Sequence, residues 1–222
     1  TSLMASENGM LVDEAGFKSE LNDQKSRSRK DGKVSTKDWI EVNPSTSNTE
    51  FIGYDHTSCD CKILRYREVE SKNKTYFQVV LDRTPFYPEG GGQVGDTGVI
   101  AFQAEAIAIV DTKKENKLIV HFVDELPKNV NASFVAKVNA ADRKASSRNH
   151  TATHLLQESL RTVLGEHVLQ KGSLVNPNYL RFDFTHFSKI EKSDLQKIEA
   201  DVNTKILENI NLNEHIDLPL AK

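Results

Sequence analysis

The sequence predicts an α+β fold in three parts: a short N-terminal helical segment, an antiparallel β-barrel-like subdomain, and a two-layer α/β subdomain that is incomplete at its C-terminus. Three observations lead there. Between Phe51 and about Asn139, short β-rich runs follow one another with no long amphipathic helix between them, which argues against a parallel sheet built from helical crossovers. After Asn139 the apolar spacing lengthens to that of a helix. The remainder then reads helix, hairpin, helix. Boundaries are placed at 1–37, 38–138 and 139–222.

In the first part, Asp13 and Glu14 could start a helix in which Phe17 and Leu21 lie four apart. Lys25, Arg27, Arg29, Lys30, Lys33 and Lys37 follow as a basic run around Gly32. That run is either a solvated helix end with its linker or a strip that contacts phosphates. The strand signals of the second part are KILRYREV, TYFQVVLDR, DTGVIAF, EAIAIVD and KLIVHFV, separated by SKNK, a glycine-rich stretch and KKEN. In the third part, Leu156, Leu160, Val163 and Leu164 form the apolar stripe of a helix that Gly165 can stop. Two strands then flank Asn176-Pro177-Asn178, with Leu180, Phe182 and Phe184 on one face. A last helix lines up Leu195, Ile198, Val202 and Ile206, with Ser193 as its N-cap.

Composition bounds the function. The 222 residues carry a net charge of −3 and are 27% charged, so no global basic field announces a nucleic-acid partner, although a local patch can still serve one. Cys59 and Cys61 are the only cysteines, and a disulfide across one residue is sterically awkward. This points to a reducing, cytoplasmic setting. No apolar run approaches the ~20 residues that span a bilayer, and no signal-like start precedes one, so no membrane partner is expected. The chain begins at Thr1 and stops at Leu-Pro-Leu-Ala-Lys, and both ends read as cuts in a longer chain.

The stretch YPEGGGQVGDTG, residues 87–98, holds five glycines in twelve residues. Gly90, Gly92 and Gly95 match the G-x-G-x-x-G pattern of dinucleotide-binding folds, but a strand-like run follows them instead of a helix, which removes that reading. No Gly-Lys-Ser/Thr follows to make a phosphate loop. Gly91, Gly92 and Gln93 spell the GGQ that release factors direct at an ester on tRNA, an analogy of letters across different folds.

His150 and His154 lie four apart on the long helix, so both imidazoles project from one face at a spacing that metal sites use. Thr151 stands where a metalloprotease motif needs glutamate, which disfavours protease chemistry. Two solvated histidines remain the alternative, since zinc needs three or four ligands. Cys59, Cys61, His121, His167 and His186 are the other ligand types present, in no metal-site pattern. Thr151, Thr153 and Gln170 could present polar groups near the histidines. Arg143, Lys144, Arg148, Arg161 and Lys171 make the neighbourhood locally basic, as a phosphate-bearing partner requires.

Taken together, YPEGGGQVGDTG, RNHTATHLL, LQKGSLV and LRFDF resemble the editing region of alanyl-tRNA synthetase, and are similar also to free-standing editing proteins related to it. The similarity runs over roughly residues 50–222, and NGMLVDEAGFKSELNDQKSRSR looks like the end of that synthetase's helical tRNA-recognition domain. The resemblance implies a hydrolase that removes serine or glycine wrongly esterified to tRNA(Ala), with the tRNA acceptor end as partner and no DNA. It implies zinc held by His150 and His154 plus a later Cys-x-x-x-His, a motif this sequence does not contain. It implies Thr153 and Gln170, with Thr151 next to them, as catalytic-site residues; the glycine-loop residues Gly90, Gly91, Gly92 and Gln93 and the basic Arg148 and Lys171 are read beside it as tRNA or substrate contacts. The glycine loop would line a cleft facing the histidines, or else only close a turn of the barrel. ATP belongs to the full-length synthetase and not to this segment. The alternatives are a non-catalytic tRNA-binding module, a free-standing trans-editing protein and a structural zinc domain.

Overall fold

The computed structural model describes residues 9, 12–31, 35–45, 49–71 and 74–211, with the side chains of residues 25–31 outside that description. Within it the fold is mixed α+β, with three helices and one large antiparallel sheet. Helix α1 spans Glu14–Asp31. Asp13 starts it as expected, its carboxylate accepting from the Gly16 N–H at 2.8 Å. Phe17 is left exposed on its surface. In the basic run, Lys33 and the side chains of Lys25, Arg27, Arg29 and Lys30 lie outside the described residues. Lys37 is not held out for a ligand, because it pairs with Glu68 at 2.9 Å and Glu70 at 3.4 Å.

The strands are β1 (Ser35–Thr36), β2 (Ile40–Glu41), β3 (Glu50–Phe51), β4 (Ser58–Ser71), β5 (Lys74–Leu81), β6 (Arg83–Thr84), β7 (Gly98–Phe102), β8 (Glu105–Glu115), β9 (Leu118–Val123) and β10 (Ser133–Val138). β4 is long enough to serve two long partners in succession: its first residues pair with β10 and its later ones with β5. From β10 the antiparallel ladder continues through β7, β8 and β9 to β5, and so returns to β4. Ile63, Val79, Leu81, Ile100, Ile109, Val123 and Phe134 fill the interior of this circuit. A register shift between Ile63 and Arg65 interrupts the β4–β5 ladder, and Leu64 packs with Val80 and Val120 in a second cluster under Trp39. Cys59 and Cys61 are free thiols on one face of β4, and Cys61 belongs to the core. Burial raises the pKa of both thiols above the ordinary value, which disfavours the thiolate a metal would need.

Helix α2, Ala140–Leu164, leaves the sheet directly. Asn139 caps it through the Asp142 N–H and is itself anchored by its N–H on the Thr97 carbonyl at 2.8 Å. Gly165 ends the helix, its N–H reaching the Arg161 carbonyl at 2.9 Å. The hairpin of β11 (Gln170–Val175) and β12 (Leu180–Phe184) turns at Asn176, whose side chain accepts from the N–H groups of Asn178 and Tyr179. The Asn149 amide donates to the Asn176 carbonyl at 2.7 Å and ties that turn to α2. Helix α3 spans Lys192–Leu207. Leu160, Val168 and Ile198 are the buried centre of this unit, with Phe182, Phe184 and Val202 packed around them.

Two expectations for α3 need correction. Its N-cap is Glu191, which makes no side-chain capping bond, and Ser193 lies inside the first turn. Leu195 and Ile206 stand about half exposed near the two ends of the helix, so Ile198 and Val202 alone carry the packed face. Among the described residues no helix is long and apolar enough to cross a membrane.

Candidate functional site

The glycine stretch folds into a two-residue reverse turn. Gly90 and Gln93 exchange both backbone hydrogen bonds, at 3.1 and 3.0 Å, and the central residues Gly91 and Gly92 have φ of +59° and +81°. Those angles are the type I′ requirement that glycine meets without a Cβ penalty. The turn is seated on β11: the Val175 N–H reaches the Gly92 carbonyl at 2.8 Å, and the Val94 N–H reaches the Val175 carbonyl at 3.0 Å. Gly92 lies so close to that strand that a Cβ on it would be 2.2 Å from Ser173 Oγ, whereas a Cβ on Gly91 would meet His150 at an ordinary 3.8 Å. Gly92→Ala is therefore expected to cost about 2–3 kcal/mol, from a left-handed L residue plus overpacking. Gly91→Ala is expected to cost about 1 kcal/mol, from backbone conformation alone. Urea unfolding of the two variants distinguishes these cases.

Beneath the turn lies a cleft of about 450 Å³. Gly91 and Gly92 form one wall; His150, Thr153, His154 and Gln157 of α2 form another; Gln170 and Ser173 of β11 close the third. The His150 and His154 rings are stacked, with centroids 5.2 Å apart and planes 13° from parallel. His150 Nδ1–H donates to Gln93 Oε1 at 2.9 Å. Burial, then the neighbouring His154, holds the His150 pKa below the ordinary imidazole value, which favours the neutral ring with its lone pair on Nε2. Thr153 is buried and gives its hydroxyl proton to the Asn149 carbonyl at 2.8 Å, which leaves its oxygen free to accept. The exposed Gln170 amide donates to Ser173 Oγ at 3.2 Å.

So the structure brings His150, His154, Thr153, Gln170, Gly91 and Gly92 to one cleft. Gln93 reaches the cleft through His150, and the other predicted site residues lie apart from it. Thr151 and Arg148 line a different groove of about 610 Å³, together with Lys144 and Lys205, because helical neighbours are turned about 100° apart. Lys171 is exposed on β11. Gly90 is taken up by the turn, its N–H bonded to Gln93 and its carbonyl accepting from the Tyr87 hydroxyl at 3.3 Å. Arg143 is not a surface cation. It ion-pairs with Asp96 and donates to the carbonyls of Gly53 at 2.5 Å and Pro85 at 2.8 Å. The Tyr87 N–H adds a further bond to the same Asp96 carboxylate at 2.8 Å. This clamp fixes α2 against the two segments that flank the glycine turn. Sequence spacing carried no signal for it, since the partners are 47 residues apart.

Among the described residues no group of three His, Cys, Asp or Glu could hold a metal ion. His121 is inside the sheet, and His167 pairs with His186 at 2.9 Å away from the cleft-lining set. The two cleft imidazoles would supply two of the four ligands of a tetrahedral zinc site, with Nε2 of His150 as the nitrogen that does not face Gln93.

The family model for tRNA synthetases class II (A) matches residues 1–163, and the chain belongs to that family. Among its relatives, the alanine–tRNA ligase of Christiangramia forsetii is 54% identical over 216 residues, 96% of this chain and 25% of that protein. The alanine–tRNA ligases of Bacteroides fragilis and Flavobacterium psychrophilum are 51% and 50% identical across 100% of this chain, which corresponds to 25% and 26% of theirs. The chain thus spans about a quarter of the length of the curated relatives it matches.

Proposed function

We propose that this segment is the editing region of an alanine–tRNA ligase, which hydrolyses the ester of Ser-tRNA(Ala) or Gly-tRNA(Ala). The observation that carries the reading is the meeting of two stacked imidazoles, a buried threonine hydroxyl and a glutamine amide in one open cleft. Serine differs from alanine by one hydroxyl, and an apolar synthetic pocket rejects such an analogue poorly. A second site that hydrogen-bonds the hydroxyl succeeds, because alanine leaves its polar groups unpaired. Thr153 offers the accepting oxygen and Gln170 an adaptable amide at the mouth. Among the described residues no Ser-His-Asp or Cys-His arrangement faces the cleft, and in this reading water attacks the ester carbonyl directly. His150 and His154 would hold zinc together with a Cys-x-x-x-His from elsewhere in the full synthetase; bound there, zinc supplies Lewis-acid polarisation of the ester or the water.

In this reading the closed circuit of strands in residues 38–138 is a barrel-like support that delivers the glycine turn, and residues 139–222 carry the hydrolytic face. The tRNA acceptor end enters over Gly91 and Gly92, in the cytoplasm. Arg148 and Lys171, both outside the cleft, would meet more distant phosphates. ATP is used by the synthetase's aminoacylation step and not by this segment.

The test is deacylation of Ser-tRNA(Ala) against Ala-tRNA(Ala) by the full-length synthetase, with aminoacylation measured in parallel. His150→Ala is expected to lower serine deacylation about a hundredfold, the upper end of what loss of a metal-site partner costs, with aminoacylation unchanged. Undiminished deacylation by that variant would sink the proposal. Absence of deacylation in every form, with tRNA binding retained, would favour a non-catalytic binding module.

A further inference from the structure

The side chain that orients His150 belongs to the glycine stretch. Gln93 is only 5% exposed, and its Oε1 sits 2.9 Å from His150 Nδ1. The backbone of Gln93 is held by hydrogen bonds. It closes the turn with Gly90, and it makes an isolated parallel bridge to Val175 of β11. The two positive-φ glycines before it reverse the chain so that its side chain meets α2 57 residues later in sequence. A neutral imidazole carries one N–H and one lone pair, and the acceptor on one nitrogen decides which is which. An amide oxygen at Nδ1 requires the proton there and places the lone pair on Nε2. A carboxylate would do the same while also drawing the ring toward its charged form. The amide orients the ring without that bias.

We infer that Gln93 is a positioning residue for the hydrolytic cleft: it locks His150 in the Nδ1–H tautomer and fixes the direction of its Nε2 lone pair. The inference deepens the editing proposal and rests on it for its consequence in catalysis, while its structural half stands by itself. It also gives the GGQ letters a local meaning, in which the two glycines make the turn and the glutamine is what the turn delivers.

The test has two arms. In the first, imidazole nitrogens of the metal-free chain are read by long-range nitrogen–proton NMR. Wild-type His150 is expected in the Nδ1–H form. Gln93→Leu, close in size and without an acceptor, is expected to give a mixture of tautomers, and Gln93→Glu to retain Nδ1–H. In the second arm, deacylation of Ser-tRNA(Ala) by the full-length synthetase is expected to fall ten- to hundredfold in Gln93→Leu, mainly in kcat, with partial rescue by Gln93→Glu. An Nε2–H tautomer in wild type overturns the inference without any variant, even if Gln93→Leu fails to fold. So does an unchanged tautomer in a folded Gln93→Leu. A tautomer change with full activity in Gln93→Leu, where His150→Ala is inactive, also overturns it. If His150→Ala is fully active as well, the editing reading fails and the locked tautomer remains.

Discussion

Asp96→Ala is expected to destabilise the protein by about 3–5 kcal/mol, read as a shifted midpoint in urea unfolding. The Asp96 side chain is 6% exposed and that of Arg143 15%, so removing the carboxylate strands a guanidinium that is largely withdrawn from water. Two bonds from Arg143 to the Gly53 and Pro85 carbonyls survive, but carbonyl dipoles do not replace the countercharge. The Tyr87 N–H loses its acceptor at the same time. Removing both partners should cost clearly less than the sum of the single changes, because neither charge is then left buried alone. A Lys37→Ala control, which breaks exposed pairs to Glu68 and Glu70, should stay within about 1 kcal/mol. An Asp96→Ala cost no larger than that of Lys37→Ala would show the clamp to be unimportant. Because His150 lies on the same helix as Arg143, a loosened clamp also moves the cleft wall. Under the proposed editing function, loss of deacylation in Asp96→Ala should therefore follow loss of structure.

The parts of this molecule that were legible in the sequence are those set by local period. TYFQVVLDR and KLIVHFV became β5 and β9, the Leu160 stripe became the buried side of α2, and Gly165 ended that helix. β10 was overlooked because Ser133–Val138 is short and includes Ala136, although its strict in–out burial is a period-two signal that could have found it. The return of the ladder to β4 was not legible, since it depends on one strand pairing with β10 by its first residues and β5 by its last. In the site, the four-residue spacing placed His150 and His154 on one face. Reading Thr151 with them ignored the helical turn between adjacent residues, and the next residue round on the cleft side is Thr153. Arg143 was read as one more surface cation because charge type alone says nothing of burial. Gln93 was read as a substrate contact because its partner is 57 residues away.

Acid should unfold this protein through a group that has no part in the cleft. His121 is fully buried in β9, its Nδ1–H donating to the Val79 carbonyl at 3.1 Å and its Nε2 accepting from the Thr84 hydroxyl at 2.7 Å. Burial depresses its pKa from 6.5 to about 4, with the Val79 hydrogen bond opposing the shift. Between those two values the unfolded chain binds the proton and the folded chain does not, so stability is intact above pH 6.5 and declines as the pH falls. The loss amounts to about 3 kcal/mol by pH 4. His150, whose pKa is also lowered, adds a slope of the same sign. Urea unfolding at pH 7, 6, 5 and 4.5 should show the decline, and His121→Gln, less stable at pH 7, should flatten most of it. A wild-type stability that stays level from pH 7 to 5 would refute the assignment. Under the proposed editing function the consequence reaches the chemistry, because Thr84 also takes the Phe86 N–H, and the chain from Thr84 through Pro85 to Tyr87 carries contacts of the Arg143–Asp96 clamp. Protonating His121 breaks the first bond in that series. An editing rate that drops below pH 6 therefore reports on the cleft histidines only when His121→Gln, compared at equal folded fraction, shows the same drop.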